Sequence, residues 1–283
     1  MKTIRDIGEF GLIRKLCARL PHAGDDCAIL PGPRGKHLLL TCDPVVEGIH
    51  YLPATPPYRV GWKAMARNLS DIAAMSGVPK WAVVSLGLRP TTPVRYVTEL
   101  YRGLTAAARP FGCQIVGGDT THVRHEPFVV VTLTGEVERR RLVRRSGAKP
   151  GDAVFVTGKL GGSLRGKHLT FTPRIREARW LTQHFRVHAM IDISDGLASD
   201  LQRLVEAGGV GFDIRAEKIP ANGSLRAALI DGEDFELLFT VAARDAGRLR
   251  SRYFEIGRVI KQPVVLLDHR PLTAHGYDHF QPR

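Results

Sequence analysis

The sequence has no apolar run approaching the roughly 18 residues that a membrane-spanning helix needs. Its longest candidates, such as 81–88, are of strand length. The N-terminus, Met1-Lys2-Thr3-Ile4-Arg5-Asp6, carries charge where a secretion signal would need an apolar core, so a cytoplasmic location is expected. Cysteine is scarce: Cys17, Cys27, Cys42 and Cys113 form no C-x-x-C pair and no Cys/His cluster of zinc-site spacing. A disulfide scaffold and a zinc module are thereby excluded, and reduced thiols are expected. Acid is in deficit, 28 Asp and Glu against 41 Lys and Arg, a net charge of +13. No aromatic-rich RNA-binding segment, zinc finger or helix-turn-helix accompanies that charge, which therefore suits anionic small substrates better than specific nucleic-acid binding. Also missing are a G-x-G-x-x-G at the first strand and a G-x-S-x-G elbow. One stretch, Gly161-Gly162-Ser163-Leu164-Arg165-Gly166-Lys167-His168, comes close to a P-loop. His168 stands where the Ser/Thr magnesium ligand belongs, so it reads as a glycine loop joining a strand to a helix.

What is present is an alternation of strands and helices over 283 residues, 43% of them hydrophobic, enough to bury a core in one large or two smaller domains. Helices are expected over 8–20, 57–76, from Thr92-Pro93 to near Gly112, 198–206 and 243–252. Thr92-Pro93 reads as an N-cap and first-turn pair. Strands are expected over 37–41, 81–88, 114–116, 127–137, 153–157, 189–193, 211–214 and 235–241, with two short ones at the end. The basic stretch 138–145 marks a domain boundary near Glu138, giving units 1–138 and 139–283. The fold class is α/β (α+β).

The acids are the informative feature. Short apolar strands run toward Asp43, Asp119 and Asp192, with Asp195 just beyond; Gly24 precedes Asp25 and Asp26. Asn68 and Asp71 share a helix face at i, i+3 amid Leu69, Ile72 and Ala73. Any one of these acids could be a turn or cap residue, and Asp195 could cap the helix after it. Five such sites flanked by Gly, Ser or Thr are harder to explain that way. Poorly solvated carboxylates need a compensating cation, and carboxylates with hydroxyl and carbonyl oxygens make a hard-oxygen set suited to Mg²⁺, which shares its shell with phosphates. Nucleotide phosphates and phosphoryl transfer are the chemistry this suggests.

The ordered set of motifs resembles the thiamine-monophosphate kinase family, of the superfamily that includes aminoimidazole ribonucleotide synthetase. The motifs are Gly8-Glu9-Phe10, Gly24-Asp25-Asp26-Cys27-Ala28, Asp43-Pro44-Val45-Val46-Glu47-Gly48-Ile49-His50, Asn68-Leu69-Ser70-Asp71-Ile72-Ala73-Ala74-Met75 and Gly117-Gly118-Asp119-Thr120-Thr121. They continue with 145–152, Asp192-Ile193-Ser194-Asp195-Gly196-Leu197, Gly232-Glu233-Asp234-Phe235-Glu236-Leu237 and Gly276-Tyr277-Asp278-His279-Phe280. The resemblance implies transfer of the γ-phosphate of ATP onto thiamine monophosphate, giving thiamine diphosphate, with no covalent enzyme intermediate. It implies that Asp26, Thr41, Cys42, Asp43, Asp71, Asp119, Asp192 and Asp195 hold several Mg²⁺ ions. Tyr101, Gly118, Asp119, Arg145 and Ser194 would face ATP, while His50, Glu233 and Tyr277 would hold the thiamine moiety. It further implies a two-domain fold, a dimerising N-terminal sheet domain and a C-terminal α/β domain with the site between them, and a homodimer. The residues alone leave Tyr101 readable as part of an apolar helix stripe and Tyr277 as a packing aromatic. Cys42 stands where the family pattern has Thr; the segments from 157 to 192 and from 220 to 231 are shorter than the pattern. Another ATP-dependent synthetase or cyclo-ligase of the superfamily, and a non-catalytic basic nucleic-acid-binding protein, are the alternatives.

Overall fold

The structure, a computed structural model, describes residues 2–280. Helix α1 (Gly8–Cys17) leads into strands β1 (Ala28–Pro31) and β2 (Lys36–Val46), then α2 (Pro57–Ala74), β3 (Val78–Leu88), α3 (Val94–Ala108), β4 (Gln114–His122) and β5 (Phe128–Glu138). These strands form a five-stranded sheet in the order β1-β2-β5-β3-β4. The second half follows as β6 (Ala153–Val156), α4 (Ile175–His184), β7 (Val187–Asp192), α5 (Leu197–Gly208), β8 (Gly211–Ile214), α6 (Leu225–Ile230), β9 (Leu237–Val241), α7 (Ala243–Leu249), β10 (Phe254–Ile260), β11 (Val265–Leu267) and β12 (Arg270–Pro271). Its seven-stranded sheet runs β12-β11-β8-β10-β6-β9-β7.

Side-chain alternation explains both sheets. In β5, Val129, Val131 and Leu133 are buried, while Val130, Thr132 and Thr134 lie on the other face. The second sheet is covered on both sides: Phe155, Leu237 and Phe239 join one core cluster, and Val154, Val156 and Leu238 join another. Hence β9 is buried at every position and reads as an unbroken apolar run. The first of these clusters also contains Leu39, Leu69, Ile72 and Leu133, so one core spans both halves.

Helix α2 sits at the centre, packed against β2 and β5 on one flank and against α4 and β7 on the other. Its contact with α3 is unusually close. A Cβ at Gly61 would fall 2.0 Å from the Leu100 carbonyl oxygen, and one at Gly103 would fall 1.9 Å from that of Tyr58. Only two glycines allow that backbone approach.

Several expected boundaries move. Strand β2 does not stop at Thr41; it runs through Asp43 and Pro44 to Val46. Pro44 is tolerated because β1 pairs only with 37–40, which leaves the far half of β2 without a partner on that edge. Likewise β4 continues through Gly117-Gly118-Asp119 as one strand beside β3. The cap of α3 is Pro93, with no side-chain hydrogen bond, so Thr92 does not serve as the N-cap. Asp195 does not cap α5 either, since Gly196 holds that position. Helix α6, capped by the Ser224 hydroxyl accepting from the Ala227 N–H at 3.1 Å, was not foreseen. α4 is the helix expected between the glycine loop and the strand at 189–193, its start fixed by Arg174 on Glu236.

Candidate active site

The site is built on α2. Asp71 comes off its last turns and accepts a hydrogen bond from the Thr41 hydroxyl on β2. Asp192, at the end of β7, accepts one from the Ser70 hydroxyl. Asp26, just before β1, completes a group in which one oxygen from each of Asp26, Asp71 and Asp192 lies within 4.8 Å of the others. Asn68 accepts from the Asp43 N–H at 3.2 Å and donates to the Ala64 carbonyl at 3.0 Å, locking β2 to the helix. Arg145 grips Asp26 through two bonds, 2.9 and 3.2 Å, and its backbone N–H donates to Asp25 at 2.7 Å.

Crowded acids without enough cations hold protons. Burial, then the charges of Asp43 and Asp192, push the Asp71 carboxyl well above the usual range. Burial and Asp26 push Asp192 up to about 8. Burial and Glu9 push Asp195 up to about 7. Beneath them Asp200, 1% exposed, is raised by burial and by Asp195 and Asp192, and accepts from the Asp195 N–H. The donor set is entirely oxygen, three carboxylates with the Thr41 and Ser70 hydroxyls at hand, which fits a hard divalent cation such as Mg²⁺.

Beside this cluster lies a cavity of about 420 Å³ whose walls include His50, Arg67, Ser194, Asp195, Glu233 and Tyr277. All three residues expected to hold the acceptor are therefore brought together. Glu233 is held by the buried Lys63 ammonium and lies 2.8 Å from His168 Nδ1. Burial pushes its carboxyl up, but the His168 hydrogen bond and the charges of Lys63 and Arg67 win and bring it down to about 2. Lys63 also donates to the His50 carbonyl at 2.6 Å and lies 2.8 Å from His168; burial, outweighing Glu233, pulls its amine down to about 8. Burial and the nearby cations bring His50 down to about 3. It is thus neutral, and because Nδ1 accepts from the Val46 N–H at 3.1 Å, its proton sits on Nε2. The C-terminal strap brings in Tyr277, whose N–H donates to the Asp195 carbonyl at 2.9 Å while Gly276 N–H donates to the Ser199 hydroxyl at 2.8 Å.

Other expected residues lie elsewhere. Cys42 points to the open face of the five-stranded sheet, where its sulfur accepts from the Thr132 hydroxyl at 3.2 Å; Thr41 and Asp43 face the other way. Only the Cys42 backbone can take part in the cluster. Asp119, in register with Ser85, is exposed, and one of its oxygens accepts from the Thr120 N–H. A Cβ at Gly118 would fall 1.9 Å from the Val84 carbonyl oxygen, so packing alone demands glycine there. Tyr101 lines a shallow depression on α3 with Tyr58 and Arg102, not the cleft of its own chain.

The sequence reading missed Lys63, Arg67, Ser70 and His168. The first three follow one another at intervals of four and three along α2, a polar stripe in an otherwise buried helix. That stripe was the available signal. The glycine loop is no phosphate cradle here. Asp234 takes its Gly161 N–H and Ser163 hydroxyl, Asp231 takes its Gly162 N–H, and Lys167 pairs with Glu236. Its His168 end instead supports Glu233.

Comparisons with known proteins agree with this layout. Residues 24–137 match the family model for the AIR synthase related protein N-terminal domain, and residues 154–267 match that for the C-terminal domain. A thiamine-monophosphate kinase of Aquifex aeolicus is 35% identical over 311 aligned positions, covering 98% of this chain and 99% of the relative. One from Bacillus subtilis is 33% identical, covering 95% and 90%. The first alignment is longer than this 283-residue chain, so that relative carries segments this chain lacks. Among solved structures, AaThiL complexed with AMPPCP and TMP superposes with a TM-score of 0.91 at 35% identity, covering 99% of each chain. A hydrogenase maturation protein HypE in complex with ATP matches at a TM-score of 0.69 and 20% identity, a likeness of fold alone.

Proposed function

Because this chain belongs to the thiamine-monophosphate kinases, within the AIR synthase related proteins, we propose that it transfers the γ-phosphate of ATP directly to thiamine monophosphate, with Asp26, Asp71 and Asp192 as the centre of its metal site. The observation that carries this is the adjacency of the oxygen cluster to the cavity holding His50, Glu233 and Tyr277. One half suits polyphosphate held through cations; the other suits a flat cationic organic acceptor.

Asp26, Asp71 and Asp192, with Thr41, Asp43 and Asp195 around them, would hold Mg²⁺, which when bound offsets the charge of two phosphorylated substrates. Asn68 and Ser70 orient Asp43 and Asp192. Arg145, paired with Asp26, and Ser194, in the cavity wall next to Asp195, would contact the nucleotide. In the acceptor cavity the ionised Glu233 meets the positive charge of thiamine, and the Tyr277 ring offers it a π-face. Lys63 and His168 keep Glu233 ionised and in place. Catalysis is then positioning and charge compensation.

The open face of the five-stranded sheet carries Trp81 at 51% and Val83 at 41% exposure, and Val116 on the neighbouring strand is 58% exposed. We place the homodimer contact there. The same dimer gives a role to Tyr101, Gly118 and Asp119, which are remote from the cleft of their own chain and would complete the nucleotide site of the partner. We place the domain boundary at 138/139, where β5 ends. Four unpaired thiols and an ATP substrate suit the reducing cytoplasm.

The test is chromatography of reactions containing ATP, Mg²⁺ and thiamine monophosphate, and of mixtures lacking each in turn. Thiamine diphosphate forming only in the complete mixture supports the reading. Nucleotide binding without thiamine diphosphate would overturn it.

A further inference from the structure

The cavity wall contains a cation whose buried donors are unused. Arg67 lies on α2 one turn after Lys63 and one turn before Asp71, between the acceptor cavity and the carboxylate cluster. Its side chain is 14% exposed. Nε lies 3.5 Å from Asp43 and Nη1 3.9 Å from Glu233, close enough to balance charge. Neither nitrogen makes a hydrogen bond to any described residue. Lys63, the other buried cation here, is already satisfied by the His50 carbonyl, His168 and Glu233. A guanidinium is a planar fork of donors that matches two oxygens of a phosphate. Buried donors left without acceptors are costly, and a site that keeps them gains when the matching ligand arrives.

We propose that Arg67 binds the phosphate of the acceptor, and is thereby the residue that distinguishes thiamine monophosphate from thiamine. The placement supports this. A phosphate on Arg67 sits at the edge of the oxygen cluster, where an incoming γ-phosphate would be held, while the organic part of the acceptor reaches toward Glu233 and Tyr277. The proposal deepens the kinase reading and rests on it.

Calorimetric titration without nucleotide separates the possibilities, with thiamine monophosphate and thiamine as the two probes and wild type, Arg67→Gln and Arg67→Lys as the proteins. The expected result is a loss of about ten- to a hundredfold in thiamine monophosphate affinity for Arg67→Gln, the range for a hydrogen-bonded charged group, with thiamine affinity within about twofold of wild type on the same grounds. Arg67→Lys, which keeps the charge facing Asp43 and Glu233 but not the fork, should lose severalfold for the monophosphate alone. Equal losses for both probes would mean Arg67 only balances the acids, and would overturn the proposal. So would unchanged monophosphate affinity in either variant. A wild type that binds neither probe would instead sink the acceptor assignment on which the proposal stands.

Discussion

Lys63 is the most exacting test of how the acceptor cavity is held together. Its side chain is fully buried and its charge is answered chiefly by Glu233, itself 17% exposed. Lys63→Met fills much the same volume and removes the ammonium, leaving Glu233 with His168 at 2.8 Å and Arg67 at 3.9 Å. Breaking a buried pair by removing one partner costs about 3–5 kcal/mol. The two remaining neighbours place this case near the low end, about 3 kcal/mol. Replacing Glu233 alone with Gln strands Lys63 in turn. The double variant leaves no unpaired charge, so its loss should be smaller than the sum of the single losses by about 2 kcal/mol or more. Urea denaturation of the four proteins measures this through the midpoint, at constant slope. Single losses below about 1 kcal/mol, or strict additivity, would refute the claim that Lys63 and Glu233 form one buried unit.

Other consequences are open to direct measurement. Glu233 has a folded value of about 2, below its unfolded 4.5, so the stability it contributes is complete above 4.5 and is lost as pH falls from about 4.5 toward 2. Glu233→Gln should therefore flatten the acid limb of a stability–pH curve, and an unchanged limb would count against the pairing. Burial and Asp26 raise Asp192 to about 8, and burial and Glu9 raise Asp195 to about 7, so the metal-free protein holds protons in this cluster at pH 7. Mg²⁺ must displace them; its binding heat should scale with buffer ionisation enthalpy, and a buffer-independent heat would contradict the site. Gly103→Ala forces a methyl into the Tyr58 carbonyl and should cost about 1–3 kcal/mol, visible as a lowered melting temperature. An unaltered melting temperature would mean that α2 and α3 separate easily.

Much of this was readable from residue order, but unevenly. Strand β8 over 211–214 was legible because turn residues bound a short apolar run, and β9 because burial on both faces makes the run continuous. The extent of β2 was not, since Pro44 is a strand breaker unless the edge is unpaired, which is a fact about β1. The acids Asp26, Asp71 and Asp192 could be picked out singly, yet 45 and 121 residues separate neighbours in that trio, and only the packing of α2 between two sheets brings their oxygens within 4.8 Å. His50, Glu233 and Tyr277 were legible only through family likeness; nothing in their spacing says they share a cavity. Lys63 and Arg67 escaped notice because charges on a helix usually face water, and the second half that buries them lies far along the chain. Asp119 and Cys42 show the converse. Their motifs stand out, while strand alternation turns their side chains to the opposite face of the sheet from Thr41 and Asp43.

The central claim is that the carboxylate trio and the neighbouring cavity act together in one phosphoryl transfer. Label from [γ-³²P]ATP should appear in thiamine diphosphate, one for each ADP formed, and Asp71→Asn should slow that transfer by about a hundred- to a thousandfold, the scale expected when the cation that would compensate transition-state charge is no longer held in place. ADP release with no label in thiamine diphosphate, or an Asp71→Asn variant as fast as wild type, would contradict it.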